Sequence, residues 1–213
     1  MTFFDLTHLM FSGMPVYPGK KPAGIQPSAT LSRDGYREKH ISIDGHTGTH
    51  MDAPAHMLPN GNTLDQYQIS KFCGTAIILP VQEEQISLEF LASREGDLKR
   101  VDFVLFNSGW SKYWGKPEYL QKFPTLTIPA AQFLTRFSLK GVGMDMISAD
   151  PIDSTDFPIH HILFESDMVI LENLKFPEKM PLGTGILHAY PLNLADADGS
   201  PIRAVLSIEI PNQ

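Results

Sequence analysis

The sequence predicts a mixed α/β domain of the α+β type, mainly strands with a few short helices, on three observations. Short runs rich in β-branched and aromatic residues recur along the chain: His40 to Ile43, Thr75 to Leu79, Asp102 to Phe106, Met168 to Leu171 and Ala204 to Ile210. Such runs favour strands. Helical patterning is confined to Ser87 to Arg94, Pro117 to Phe123, Pro129 to Arg136 and His160 to Glu165, with Ser87 and Thr127 as caps and Pro129 suited to a first turn. Seventeen prolines and sixteen glycines are spread over the whole length, which implies many short elements joined by tight turns and gives no linker. A chain of 213 residues is then expected to form one domain, residues 1–213.

Composition narrows the partners. With 24 acids against 17 bases the net charge is -7, and no basic run is long enough to track a phosphate backbone, so nucleic acid is not expected. No segment reaches the ~18 apolar residues of a membrane span. The N-terminal residues carry neither a basic leader nor an apolar stretch, so the expected location is the cytoplasm. A single cysteine, Cys73, excludes an internal disulfide framework and reads as a packed thiol at the start of a strand.

Chemistry concentrates in one place. His46, His50, Asp52 and His56 fall within eleven residues, and a loop has no structural need for so many imidazoles. Imidazole nitrogen with carboxylate oxygen suits zinc, manganese or iron, whereas magnesium and calcium prefer all-oxygen shells. Thr47, Gly48 and Thr49 are poor helix formers, and Pro54 disfavours helix at Ala53. The segment is therefore expected to be the end of the His40 to Asp44 strand running into a Gly-containing loop, and alternation in an extended stretch would put His50 and Asp52 on one side, within reach of one ion. The competing reading is a set of surface or hydrogen-bonded histidines. That plain reading is kept for His8, His40 and His188, which stand alone.

A shell of this kind usually takes a further ligand from a distant part of the chain. The candidates are His160, His161, Glu165 and Glu172. Glu172 ends a strongly apolar strand, where an unpaired carboxylate is costly. Asp198-Gly-Ser-Pro201 carries turn chemistry and is expected to be a connection rather than a site.

The pattern His46-x-Gly-Thr-His50-x-Asp52-Ala-Pro-x-His56 resembles the signature of the cyclase family, which includes bacterial kynurenine formamidases and isatin hydrolases. The resemblance extends along the chain through Met14-Pro-Val-Tyr-Pro-Gly19, Asn107-Ser-Gly-Trp110, Gly143-Met-Asp145 with Ser148, His160 ahead of Glu172-Asn-Leu, and Asp198-Gly-Ser-Pro-Ile-Arg203. It implies a β/β/α swivelling domain that assembles as a homodimer or higher homo-oligomer. It also implies that His46, His50 and Asp52 bind one divalent ion, zinc with manganese as the alternative. Asp52, His160 and Glu172 can serve a second, and His56 would be the acid/base group.

The activity implied is hydrolysis of a C–N amide bond in a small aryl formamide or lactam by metal-activated water, arylformamidase leading and cyclic amide hydrolysis the alternative. The family's formamidases commonly read Pro-x-Trp-Pro-Gly-Asp where this chain reads Pro15-Val-Tyr17-Pro-Gly19-Lys20. Tyr17 keeps an aromatic ring able to stack on an aryl substrate. Phe72, Trp110 and Trp114 could line the pocket, with core packing the stronger expectation. Two readings from other classes would use the same ligands: a metal-dependent oxygenase and a metal-binding protein without catalysis.

Overall fold

The alternation of large apolar side chains becomes a sheet with a core on each face. The computed structural model describes residues 1–209, so Ile210, at the end of the last expected strand, lies outside the described residues. The strands are β1 (Thr2–Asp5), β2 (Gly24–Ala29), β3 (Glu38–Ser42), β4 (His50–Asp52), β5 (Cys73–Pro80), β6 (Gln85–Ile86), β7 (Phe103–Asn107), β8 (Thr125–Leu126), β9 (Gly141–Met144), β10 (Val169–Glu172), β11 (Gly183–His188), β12 (Gly199–Pro201) and β13 (Val205–Ile208). Among the described residues nine of them form one mixed sheet in the order β1-β13-β11-β5-β7-β9-β10-β4-β12. Its centre, β5-β7-β9-β10, is parallel, and its outer strands pair antiparallel.

Parallel strands are covered on both faces and read as near-continuous apolar runs, and these do. In β7, Val104 and Phe106 point into the core that holds the helices, while Phe103 and Leu105 point into the opposite core. Strand β5 divides likewise, Ile77 and Leu79 to one side and Ala76 and Ile78 to the other. The helices that cover the first face are short. Ser87 caps Leu88–Ala92 by accepting from the Phe90 amide, and Thr127 caps Ile128–Leu134 from the Ala130 amide, as their sequences predict. Pro117–Leu120 closes as a 3₁₀ turn, and Pro158–Glu165 is an eight-residue helix.

The mixed, strand-dominated class is as expected, and two local readings change. The strand near His40 does not continue into the His-rich segment: β3 pairs only with β2 in a separate hairpin, and β4 is a strand of its own within the large sheet. Gly199, Ser200 and Pro201 pair with β4 instead of forming only a connection, because β4 needs a partner on its outer side. Core packing, the stronger expectation for the three aromatics, is what is found: Phe72 packs in one core, and Trp110 and Trp114 pack against the other.

His8 shows how tightly this packing encloses polar atoms. It is 6% exposed, and its ring stacks on that of Trp114 with centroids 4.1 Å apart. Neither His8 Nε2 nor Trp114 Nε1 finds a hydrogen-bond partner among the described residues. Burial, helped by the Lys175 charge, lowers the His8 pKa to about 4. The unfolded chain takes up this proton from about pH 6.5 downward, so the contribution to stability is complete above that value and is lost as pH falls toward 4. His8→Phe, which keeps the stack and removes the titration, should therefore lose less stability than the wild type between about pH 7 and about pH 5, by about 1 to 2 kcal/mol. Parallel thermal-unfolding curves for both proteins across that interval would refute the assignment.

Candidate metal centre

Strand β4 is three residues long and fully buried, and alternation sends Met51 to one core while His50 and Asp52 face the other side. Across the antiparallel pair, His50 stands opposite Glu172 and Asp52 opposite Ile170. Glu172 is thus the last residue of a parallel strand, at the carboxyl end where open α/β sheets collect ligands. His160 reaches the same point from the first turns of the helix Pro158–Glu165.

These side chains meet in two overlapping groups. His46 Nδ1 lies 2.6 Å and His50 Nε2 lies 3.1 Å from Asp52 Oδ1. On the other carboxylate oxygen, His160 Nε2 is 3.9 Å from Asp52 Oδ2, and it is 3.2 Å from Glu172 Oε1. His46, His50 and Asp52 could hold one metal ion, and Asp52, His160 and Glu172 another, with Asp52 common to both. Asp52 and Glu172 are 1% and 5% exposed, and two carboxylates so buried require a cation between them.

Electrostatics points the same way. Burial opposes charge on His46, but Asp52 overrides it and holds the pKa at about 9. The same contest at His160, with Asp150 and Glu172 as the opposing partners, raises it to about 10. Burial, followed by the negative charge of Asp52, pushes Glu172 up. The cluster attracts positive charge at its centre, and the donor set of imidazoles and carboxylates fits a divalent transition ion.

Each imidazole is fixed through its far nitrogen. His50 Nδ1 is 2.8 Å from the Gly48 carbonyl, which also accepts from Asn173 Nδ2 at 2.8 Å. Gly48 adopts φ +70°, a conformation that a residue with a side chain rarely takes. Asp150 accepts from His160 Nδ1 at 2.6 Å and from the Ile159 and His160 amides, so one buried carboxylate both caps the helix and aims the ring. His46 Nε2 is 3.0 Å from Asp198 Oδ2. Asp150 and Asp198 were not among the residues the sequence singled out as ligands or catalytic groups. Asp150 lies ten residues before the ring it holds, and Asp198 reaches His46 only because β12 pairs with β4.

The centre opens on a cleft of about 640 Å³ lined by His56, Tyr17, Lys20, Met57, Phe157 and His161 among others. The His56 ring lies 3.8 Å from that of His46 between centroids, tilted by 31°, and burial, ahead of other influences, lowers its pKa. Tyr17, His46, His50, Asp52, His56, His160 and Glu172 border this one cleft, while Glu165, Phe72, Trp110 and Trp114 do not. Of the neighbouring pair, His160 joins the buried group and His161 lines the cleft.

Paired groups of candidate ligands sharing one buried carboxylate, at the mouth of a cleft holding a further histidine, fit the apparatus of a metal-dependent hydrolase. The comparisons agree. The profile of the family described as "Putative cyclase" matches residues 4–151. A kynurenine formamidase of Geobacillus thermodenitrificans (strain NG80-2) is 30% identical over 207 residues, 96% of either chain. The solved structure of a potential metal-dependent hydrolase with cyclase activity is 28% identical, covers 96% of each chain and superposes with a TM-score of 0.81. An isatin hydrolase bound to the product analogue thioisatinate shares the fold, with a TM-score of 0.87 at 20% identity over 96% of this chain and 91% of its own. The chain belongs to the cyclase family.

Gly199 offers a direct test of the geometry. It lies opposite Asp52 in β12, and a Cβ there would collide with the His46 ring. Gly199→Ala should displace His46 and weaken apparent metal affinity by roughly 10- to 100-fold, the range for disturbed ligand orientation. Zinc competition against a chromophoric chelator, with circular dichroism to verify the fold, measures this, and unaltered affinity in a folded variant would remove His46 from the ligand set.

Proposed function

We propose that this protein hydrolyses the C–N amide bond of a small aryl formamide, with N-formylkynurenine as the leading substrate and an isatin-like lactam as the second. One observation carries the reading: two buried ligand groups joined through Asp52 lie next to His56 on an open cleft. In this proposal His46, His50 and Asp52 hold one divalent ion and Asp52, His160 and Glu172 a second, zinc in preference to manganese. When bound, such an ion supplies Lewis acidity and lowers the pKa of a coordinated water toward ~7.

The chain's own groups do the rest. Buried beside His46, His56 keeps a lowered pKa and is neutral at neutral pH, so it can accept a proton from the attacking water and deliver it to the leaving nitrogen. Tyr17 is held by its hydroxyl, 3.3 Å from the Ile152 carbonyl, which leaves the ring to pack against an aryl substrate. A cleft of about 640 Å³ suits a ligand of this size. The whole chain acts as one domain, supported by a sheet that runs through both cores. The hairpin β2-β3 supports a homodimer: every residue of β3 is exposed, Ile41 to 57%, and a lone two-stranded hairpin is marginal in water. The single cysteine supports a reducing, cytoplasmic location.

Zinc-loaded protein should hydrolyse N-formylkynurenine, stop on chelation and recover when the ion is restored. Faster turnover of isatin would move the assignment to cyclic amides, and activity on neither would end the substrate proposal. His56→Ala should keep its metal and lose roughly 10² to 10⁴ in kcat. Asp52→Ala, by contrast, should lose metal and activity together. Near-normal turnover in the His56 variant would remove it from proton transfer. Light scattering on the purified chain should give twice the monomer mass, and a monomer would refute the dimer.

A further inference from the structure

Asp198 belongs to neither buried ligand group, yet its Oδ2 lies 3.0 Å from His46 Nε2 and 3.3 Å from His56 Nδ1. We propose that Asp198 is a positioning residue that sets the tautomers of both imidazoles with a single carboxylate oxygen. An ionised carboxylate only accepts hydrogen bonds, so both facing ring nitrogens must carry protons. His46 Nδ1, 2.6 Å from Asp52 Oδ1, faces a carboxylate as well, and it is the nitrogen that gives up its proton when an ion binds there, while Nε2 keeps its own on Asp198. His56 keeps an unprotonated Nε2, the form a general base requires. This goes beyond the proposed hydrolysis and rests on it for its catalytic half.

The placement is fixed by the fold, while the carboxylate itself is free of the core. The Asp198 carbonyl accepts from the Ala53 amide at 2.8 Å, and Gly199 pairs with Asp52, so the backbone at 198 is tied to the strand that carries two candidate ligands. The Asp198 side chain is 54% exposed, which makes its replacement tolerable to packing. The two rings lie 3.8 Å apart between centroids, and one carboxylate oxygen faces a nitrogen of each. The same atoms also form a trio, His46, His56 and Asp198, close enough to hold an ion directly. Ion content therefore distinguishes an orienting carboxylate from a ligand.

The test is Asp198→Asn, whose amide can donate as well as accept and no longer imposes a tautomer. In zinc-loaded, ¹⁵N-histidine-labelled protein, imidazole nitrogen shifts should show His56 protonated on Nδ1 in the wild type and distributed over both nitrogens in the variant. The variant should reach the wild-type ion content at saturating zinc, with apparent affinity weakened roughly 10- to 100-fold. On N-formylkynurenine its kcat should fall at least about tenfold with KM little changed, and adding it to His56→Ala should cost no more than about threefold, because it acts through the removed ring. An Nε2-protonated His56 in the wild type, loss of one zinc at saturation, or multiplicative losses in the double variant would each overturn the proposal. Expected tautomers in a wild type that hydrolyses no amide would instead count against the substrate reading and leave Asp198's role standing.

Discussion

Two carboxylates, Asp52 and Glu172, are buried side by side at the end of the sheet, and most of the surrounding structure follows from that arrangement. Like charges in a low-dielectric interior raise each other's pKa unless positive charge is brought to them. Here three imidazoles supply the near layer, and each brings a requirement of its own, an acceptor for its other nitrogen. The Gly48 carbonyl, Asp150 and Asp198 meet those requirements for His50, His160 and His46. The outer acceptors are thus a consequence of the inner charges.

The sheet supplies the rigidity this needs. Strand β4 lies between β10 and β12, so both of its edges are hydrogen-bonded, and its alternation places His50 and Asp52 on one side without a helix. A one-residue slip of β4 would send both into the opposite core and bring Met51 among the imidazoles and carboxylates. Met51 is completely buried in that second core, which ties the register of the site to hydrophobic packing.

The inner layer was legible in the sequence because its chemistry is dense and local. Three histidines and an aspartate within eleven residues, interrupted by Gly48 and Pro54, announce a segment of candidate metal ligands without any tertiary information. Glu172 announced itself through cost, as a carboxylate ending an apolar run. The outer layer was not legible, since Asp150 and Asp198 act across folded distance, and Asp198 sits in a segment that reads as a turn. Their signal is pairing, β12 on β4 and a helix start on a loop, and pairing has no local sequence trace. The same reason explains the short strands β4 and β12, three residues each, which carry too few side chains to show a period.

Precision at the centre is inherited from still deeper in the molecule. The Gly48 carbonyl that orients His50 also accepts from Asn173, which is held in the left-handed region at φ +56° and receives the Tyr119 hydroxyl on Oδ1 at 2.7 Å. Tyr119 is fully buried and packs edge-on against Trp114, the ring on which His8 stacks. His8 in turn donates its amide to Thr49 Oγ1, whose own proton goes to the Asn173 carbonyl. The path closes on itself: the core fixes the loop, the loop aims the ligand, and the residue after Glu172 is part of both. The hydrogen bonds through Gly48, Thr49, Asn173 and Tyr119 enclose the segment from one side, which is why Thr47 to Thr49, without regular secondary structure, can deliver His50 in a fixed geometry.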